Sequence, residues 1–182
     1  MRVIGGIYKS RVLASFDGEK IRPTADRSKE ALFNILGLHI RNARVLDLFC
    51  GSGAIGIESL SRGAKEVLFN DCSKESVALV KKNLANLKIE LNHQIKVSNY
   101  DYLVCLGIQN QPFDFIFIDP PYMQEFGKKA LEEIAKKELL TKNGIAVYER
   151  DKPFDGQIKG LQLYDERKYG KAYFSFFKRE ER

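Results

Sequence analysis

The sequence predicts an α/β protein with a mostly parallel sheet and helices on both faces. Three observations support this prediction. After residue 44, five short apolar runs alternate with amphipathic stretches, the runs are almost continuously apolar, and the chain closes with two alternating segments around a Gly-Lys turn. Alternating strands and helices with such strands are typical of a parallel sheet covered on both faces. The closing segments predict an antiparallel edge.

The elements are predicted in the following order. A short hairpin is expected in RVIGGIYKSRVL at the front, and a helix over 24–37. Strands are predicted at 43–49, 66–70, 94–98, 113–119 and 144–149, with helices at 54–63, 74–88 and 124–140. In the helix over 74–88, apolar residues recur at helical spacing. Residues 157–178 predict two strands around Gly170-Lys171, whose aromatic residues are expected in the core: Tyr169, Tyr173, Phe174, Phe176 and Phe177.

The first apolar run leads into a glycine-rich loop, DLFCGSGAIG. Gly51, Gly53 and Gly56 fit the G-x-G-x-x-G pattern between a predicted strand and helix, where bare backbone and helix N–H groups can approach a nucleotide. Asp71 follows at the end of the second strand, where a carboxylate can bind ribose hydroxyls. The glycine pattern alone fits a dinucleotide as well as S-adenosylmethionine. Asp47 at the loop's entrance favours the second, because a carboxylate can face its cationic methionine end.

The fourth apolar run ends in Asp119-Pro120-Pro121-Tyr122. The two prolines fix successive φ angles and lack N–H groups, which leaves bare carbonyls between a carboxylate and an aromatic ring. Such a turn can receive hydrogen bonds from a flat donor ligand, or it can be a rigid turn whose Asp caps the next helix. The tetrapeptide alone fits both interpretations. Its position at the same edge as the glycine loop favours a ligand site, because ligands of open α/β sheets bind there.

Together the two motifs resemble those of amino-methyltransferases, which methylate exocyclic amines of bases. An aryl amine is a poor nucleophile because its lone pair is delocalised into the ring. The resemblance implies that Asp119 and the Pro120 carbonyl hold both amino hydrogens, while Tyr122 stacks on a base turned out of its helix. The predicted catalytic residues are Asp119, Pro120, Pro121 and Tyr122.

The front of the chain makes the resemblance closer. RVIGGIYKSRVL and IRPTADRSKEALFNIL, with DLFCGSG, IDPPY and a VYE that ends at Glu149, resemble the RsmD-type family, bacterial enzymes that methylate the N2 amine of one guanine in 16S ribosomal RNA. The likeness covers nearly the whole chain. It implies a class I (Rossmann-like) methyltransferase fold with a mostly parallel seven-stranded sheet. It also implies a single domain, with a basic hairpin extension at 1–22 and a catalytic core at 23–182.

The resemblance also assigns a cofactor, a partner and the residues that bind them. The cofactor is S-adenosylmethionine, with its methionine end on the glycine loop, its ribose at Asp71 and its adenine near Asn99. The expected cofactor-binding residues are Asp47, Phe49, Gly51, Ser52, Gly53, Asp71, Cys72, Asn99 and Tyr100. The expected partner is 16S ribosomal RNA in small-subunit particles.

Positive charge is concentrated at the front of the chain. Residues 1–44 carry nine Lys and Arg against four acids, whereas the remainder carries 21 against 20. A basic segment on a near-neutral body indicates a polyanionic partner. The predicted RNA-binding residues are Arg2, Lys9, Arg11, Arg22, Thr24 and Arg27.

Composition also argues against several classes of protein. No apolar run reaches the roughly 18 residues that a membrane span needs, and the front lacks the apolar stretch of a signal peptide. Three scattered cysteines do not indicate a disulfide framework, and no Cys or His spacing indicates a zinc site. The expectation is a cytoplasmic monomer without a bound metal.

Alternative functions stay open at this point. DNA adenine-N6 methyltransferases can share the Asp-Pro-Pro-Tyr motif, but 182 residues leave little room for the further target-reading region that they need. An RNA-binding ribosome-assembly factor could keep the fold without the chemistry, although the intact loop and turn argue against it. A nicotinamide oxidoreductase is disfavoured because the Asp-Pro-Pro-Tyr turn would have no role in hydride transfer.

Overall fold

The chain was analysed as a computed structural model that describes residues 1–16, 23–121 and 124–180. Its strands are β1 Arg44–Asp47, β2 Glu66–Asn70, β3 Ile95–Ser98, β4 Phe113–Ile118, β5 Leu140–Arg150, β6 Leu161–Tyr169 and β7 Ala172–Arg179. They form one seven-stranded sheet in the order β3-β2-β1-β4-β5-β7-β6. Strands β1 to β5 are parallel, and β7 runs antiparallel to β5 and β6. The predicted fold class is therefore confirmed, with a mixed rather than purely parallel sheet.

Helices cover both faces of this sheet. They are α1 Pro23–Leu36, α2 Ala54–Ser61, α3 Lys74–Asn86, α4 Tyr102–Gly107 and α5 Gln124–Lys136, with a short 3-10 helix at Gly37–Ile40. One apolar cluster joins α1, α2 and α3 to one face, and a second joins α4 and α5 to the other. Strand alternation divides the core: in β4, Phe115 and Phe117 belong to the first cluster, whereas Ile116 and Ile118 belong to the second.

Three elements differ from the sequence prediction: α4, α5 and β5. Helix α4 has only six residues, too few for a periodic signal; it is capped by the Asp101 side chain, which accepts from the Leu103 N–H. The helix predicted at 124–140 ends at Lys136, and β5 begins four residues earlier than predicted. Its first residue, Leu140, pairs with Phe113 across an irregular step in the register. These differences arise from tertiary burial and strand pairing that the local pattern does not show.

The N-terminal segment is paired as a short hairpin but has no regular strand in residues 1–16: the Val3 and Leu13 N–H groups donate to the Arg11 and Met1 carbonyls at 2.9 and 3.0 Å. Residues 1–16 form an arch with a single bridge, between Arg2 and Val12. Several backbone N–H groups of the arch donate to α2 instead of to the opposite strand. Ile7 donates to the Ser61 carbonyl and Tyr8 to the Ser61 hydroxyl. The bend of the arch therefore lies at the C-terminal end of α2, at the amino edge of the sheet.

A buried carboxylate joins the arch to the core. Glu58 in α2 is fully buried and accepts hydrogen bonds from the backbone N–H groups of Ile4 and Gly5, both at 2.8 Å. It also pairs with buried Lys29 of α1 at 3.2 Å and with Arg62 at 2.7 Å. Burial lowers the pKa of Lys29, and the Glu58 carboxylate counteracts that shift. The four contacts make Glu58 the centre of the attachment of the arch.

The returning half of the arch reaches the glycine loop. The Ala14 N–H donates to the side-chain oxygen of Asn83 in α3 at 2.8 Å. The side-chain NH2 group of Asn83 in turn donates to the carbonyls of Ala14 and Ser52. Ala14 therefore lies beside the glycine loop, on the side of the carboxyl edge of the sheet. No helix in the described ranges is both long and apolar enough to cross a membrane.

Candidate active site at the carboxyl edge of the sheet

Four carboxylates lie at the carboxyl ends of four neighbouring strands. In sheet order they are Asp71, Asp47, Asp119 and Glu149, which we call the acidic row. The register places Asp47 opposite Phe69 in β2 and Phe117 in β4. Asp71 and Asp119 therefore each lie two residues further along their strands. Because neighbouring strands are about 4.8 Å apart, the row is a continuous acidic line along one edge.

The glycine loop is folded around two of these carboxylates. Asp47 accepts from the Gly56 N–H at 2.9 Å, at the start of α2, and Asp71 accepts from the Gly51 N–H at 2.9 Å. Gly56 cannot carry a side chain, since a Cβ would lie 2.2 Å from the Phe69 ring. Gly51 has a φ of +51° and no atom within 4 Å of the place where a Cβ would begin, so its backbone faces open space. This arrangement fits a nucleotide-like ligand.

Asp71 is already engaged by backbone groups. Besides the Gly51 N–H, it accepts from the Ser73 N–H at 2.9 Å, while the Asn99 amide donates to the carbonyls of Asp71 and Cys72. Each carboxylate oxygen keeps a second lone pair, so the side chain can still accept ribose hydroxyls. The Asn99 bonds tie the end of β3 to the end of β2.

The other predicted cofactor residues border the same edge in different ways. Phe49 packs its ring 5.3 Å from that of Tyr102 on α4. Gly53 is the N-cap residue of α2 with a left-handed φ of +79°. The Ser52 carbonyl is held by Asn83. Cys72 and Tyr100 are exposed. The expected set is thus brought together at the ends of β1, β2 and β3.

Burial changes the proton affinity of Asp47. Asp47 is 4% exposed, and this burial raises the pKa of its carboxyl to about 7. The hydrogen bond from Gly56 lowers the pKa, whereas the nearby charges of Asp119 and Asp71 raise it further. A cation bound here would favour the ionised form of Asp47.

Asp119 follows β4 and has a carboxylate without a hydrogen-bond donor among the described residues. The residue is accessible to water, yet protein atoms around the carboxyl desolvate it and raise its pKa. No N–H of α5 within the described residues bonds to it, and the N–H groups of residues 122 and 123 lie outside those residues. Pro120 and Pro121 continue the edge, and Tyr122 lies outside the described residues.

Glu149 is a site residue to which the sequence reasoning gave no role. Tyr148 pairs with Ile118, so Glu149 is level with Asp119 in the neighbouring strand. Burial raises the pKa of the Glu149 carboxyl, and the charge of Asp119 raises it further, which favours the neutral form. A signal was available, because Glu149 follows an apolar run in the way that Asp119 follows β4.

Arg150 is next to this pair and was also missed. Its guanidinium lies 5.2 Å from the centres of both the Tyr148 and the Phe154 rings. Two of its nitrogens, Nε and Nη1, are buried without a hydrogen-bond partner among the described residues. The charge is therefore held between aromatic rings at the end of β5.

Comparison with known proteins gives this geometry a family. The family model described as Conserved hypothetical protein 95 matches residues 1–178. A ribosomal RNA small subunit methyltransferase D from Haemophilus influenzae is 40% identical over 157 residues, covering 84% of this chain and 81% of that protein. The Escherichia coli protein of the same name is 38% identical over 144 residues, covering 79% and 68%.

The chain belongs to the family described as Conserved hypothetical protein 95. A solved structure from Escherichia coli, described as a methyltransferase, matches with a TM-score of 0.85 at 28% identity and covers 100% of this chain and 99% of that one. The resemblance to the RsmD-type family and the class I methyltransferase fold are thereby confirmed, and with them S-adenosylmethionine as the cofactor.

The basic residues predicted to bind RNA are dispersed in this RsmD-type chain. Arg2 is largely exposed but pairs with Asp26 at 3.5 Å. Lys9 and Arg11 are exposed near the bend of the arch, at the amino edge and away from the acidic row, and Arg27 is exposed on α1. Arg22 and the side chain of Thr24 lie outside what is described. Contact of these residues with RNA stays a prediction.

Metal-ligating groups were also sought around the acidic row. In residues 1–16, 23–121 and 124–180, no group of three or more His, Cys, Asp or Glu side chains is placed to hold a metal ion.

Proposed function

We propose that the chain transfers the methyl group of S-adenosylmethionine to the exocyclic N2 amine of a guanine in 16S ribosomal RNA. The observation that carries this proposal is the position of the Asp119 carboxylate, which has no hydrogen-bond donor among the described residues, at the same edge as the glycine loop and directly before two prolines. The names of the Haemophilus influenzae and Escherichia coli relatives support a small-subunit ribosomal RNA substrate. We further propose that it acts as a monomer in the cytoplasm, on small-subunit particles.

The described residues fit the methyl donor as follows. Asp47 faces its cationic amine, the bare backbone at Gly51 admits its methionine end, and Asp71 accepts from its ribose hydroxyls. The adenine ring would lie next to Asn99, directly after the end of β3. When bound, S-adenosylmethionine supplies an electrophilic methyl group on a sulfonium sulfur. All other contributions come from the chain's own side chains, mostly by positioning.

The turn after β4 holds the amine that is methylated. Asp119 and the Pro120 carbonyl each accept one amino hydrogen, which favours a more pyramidal nitrogen whose lone pair is available for attack. The nitrogen becomes an acidic ammonium as the new N–C bond replaces the bond between the methyl group and sulfur, whose electron pair stays on the sulfur. Asp119, whose pKa is raised by desolvation, is a better acceptor for the released proton than an ordinary aspartate.

Nucleoside mapping tests the proposed reaction. The purified protein is incubated with labelled S-adenosylmethionine and unmodified small-subunit particles, and the RNA is then digested to nucleosides. We expect label in N2-methylguanosine from the 16S RNA at one position. Label in N6-methyladenine in DNA would favour the adenine enzyme. RNA binding without any transfer would favour an assembly factor.

Donor binding is expected to depend on the protonation of Asp47. Its pKa is raised to about 7, so acidification neutralises the carboxylate that faces the donor's amine. Affinity should therefore fall as the pH drops below about 7, by at most about tenfold for each pH unit. Calorimetry between about pH 5.5 and 8 measures this dependence.

The Asp47→Asn variant is the control for that experiment. It should bind the donor about ten- to a hundred-fold more weakly, because a charge-assisted hydrogen bond contributes about 1.5–3 kcal/mol. Its affinity should also be independent of pH in the same range. Equal pH dependence in the wild type and in this variant would contradict the role of Asp47.

The basic arch gives a separate prediction about RNA. If Lys9 and Arg11 contact phosphates, replacing both with alanine should weaken RNA binding and reduce the slope of log K against log salt by about 0.7–0.9 per lost contact. Donor binding should not change. An unaltered salt slope would assign this charge to solubility alone.

A further inference from the structure

The hairpin that joins β6 to β7 projects beside the acidic row. We call residues 168–173 the β6–β7 tip. Strand β7 begins at the carboxyl edge, because Tyr173 pairs with Arg150 and Phe174 pairs with Glu149 in antiparallel register. The Tyr169–Ala172 pair of the tip lies beyond the end of β5. The tip is thus the next group of residues along the edge after Asp119 and Glu149.

Cations on this tip have no acidic partner in the part of the chain that the structure describes. Lys168 and Lys171 are exposed, and neither has a carboxylate within 4 Å among the described residues. Of the other cations on the same two strands, Arg167 pairs with Asp165 at 2.9 Å and Arg179 with Glu138 at 3.1 Å. Lys178, at the opposite end of β7, has no carboxylate within 4 Å among the described residues and lies 5.8 Å from the centre of the Tyr164 ring. Two of the three lysines of the hairpin without an ion pair in the described ranges are therefore at the carboxyl edge.

Contacts between aromatic rings hold the tip in place. Tyr169 and Tyr173 are half-buried, whereas Phe174 is buried as predicted. The Tyr169 ring lies 6.1 Å from that of Phe174, and the Lys168 ammonium lies 5.1 Å from the centre of the Tyr173 ring. The two tyrosines are thus less buried than the sequence predicts, and they support charges that point outward.

The acidic row creates a requirement that the tip can meet. A guanine held at Asp119 brings its backbone phosphates to the carboxyl edge, where the ionised carboxylates of the row oppose them. Cations must therefore flank the row. Arg150 is close, but two of its nitrogens are buried against aromatic rings. Strands β7 and β6 lie two and three strand spacings from β4, about 10 and 14 Å, so Lys171 and Lys168 at the tip can reach phosphates next to a base at Asp119.

We propose that the β6–β7 tip binds the phosphate backbone of the RNA strand that carries the target guanine, through Lys168 and Lys171. This inference rests on the proposed function, because it takes RNA as the substrate. It differs from the prediction for the arch, whose Lys9 and Arg11 lie at the opposite edge of the sheet. The tip contacts RNA next to the methylated base, whereas Lys9 and Arg11 could contact only more distant RNA.

A double variant, Lys168→Ala/Lys171→Ala, tests this proposal. Methylation of small-subunit particles is measured as kcat and KM at several salt concentrations. We expect KM to rise at least several-fold and the salt slope of kcat/KM to fall by about 1.4, or 0.7 for each lost phosphate contact to a single strand. The single-turnover rate at saturating RNA and the affinity for the methyl donor should stay unchanged.

The matched control is Lys142→Ala/Lys159→Ala. These lysines are also exposed but lie at the amino edge of the sheet, and their loss removes the same charge. A second variant, Lys168→Gln/Lys171→Gln, removes the same charges but keeps the aliphatic parts of both side chains. It therefore controls for disruption of the hairpin by alanine. Both tip variants should show the same KM increase at unchanged thermal stability.

The outcomes separate this inference from the function it rests on. An active wild type, with tip variants that match the control pair in KM and salt slope, would overturn the role of the tip alone. Absence of transfer to any RNA by the wild-type protein would overturn the proposed function itself.

Discussion

Replacing Asp119 with alanine is expected to lower the rate constant for methyl transfer by about a hundred- to a thousand-fold, or about 3–4 kcal/mol by analogy with a lost oxyanion donor. The carboxylate accepts a hydrogen bond from the amine, and that bond strengthens as the nitrogen becomes positively charged. Interactions that are stronger in the transition state affect kcat more than they affect binding. Fold and donor affinity should be nearly intact, since no described residue depends on Asp119 for a hydrogen bond.

Single-turnover rates on small-subunit particles measure this effect. Asp119→Asn keeps one acceptor oxygen, so it should retain more activity than the alanine variant. Asp155→Ala removes an exposed carboxylate from a different loop and should behave as the wild type. Transfer by Asp119→Ala at a near wild-type rate would show that the carboxylate takes no part in the chemistry.

Replacing Glu58 with alanine is expected to destabilise the protein by about 3–5 kcal/mol, as is typical when one partner of a buried ion pair is removed. Lys29, which is only 3% exposed, would lose the carboxylate it pairs with, and the N–H groups of Ile4 and Gly5 would lose their acceptor. In a chain of this size the melting temperature should fall by roughly 6–20 °C. Thermal unfolding measures this directly, and trypsin should cleave the arch at Arg11 more rapidly.

Two further variants make the Glu58 prediction specific. Glu66→Ala breaks a more exposed ion pair with Arg44, in which the side chains are 33% and 24% exposed, and should cost less than about 1 kcal/mol. Lys29→Met/Glu58→Gln removes both buried charges and should recover part of the lost stability. Equal melting temperatures for Glu58→Ala and Glu66→Ala would contradict the central position of Glu58.

The sequence by itself determined most of the fold and half of the candidate site. Alternating apolar runs predicted β1 to β4 to within about two residues, because a strand buried on both faces has an unbroken apolar signal. The glycine loop with Asp47 and Asp71 was also visible, since such a loop needs specific residues at fixed spacing. Family resemblance added the cofactor. Local patterns could not show α4, which is short, or the early start of β5.

The tertiary structure decided what the charged residues do. Glu58 looks like an ordinary helix glutamate in the sequence, and only packing shows that it is buried beneath the arch. The register of β4 and β5 brings Glu149 level with Asp119, and the antiparallel return of β7 brings Lys168 and Lys171 to the same edge. Residues far apart along a chain become neighbours through strand order, which depends on the burial of the whole sheet. A single-sequence pattern records spacing along the chain and therefore cannot contain that order.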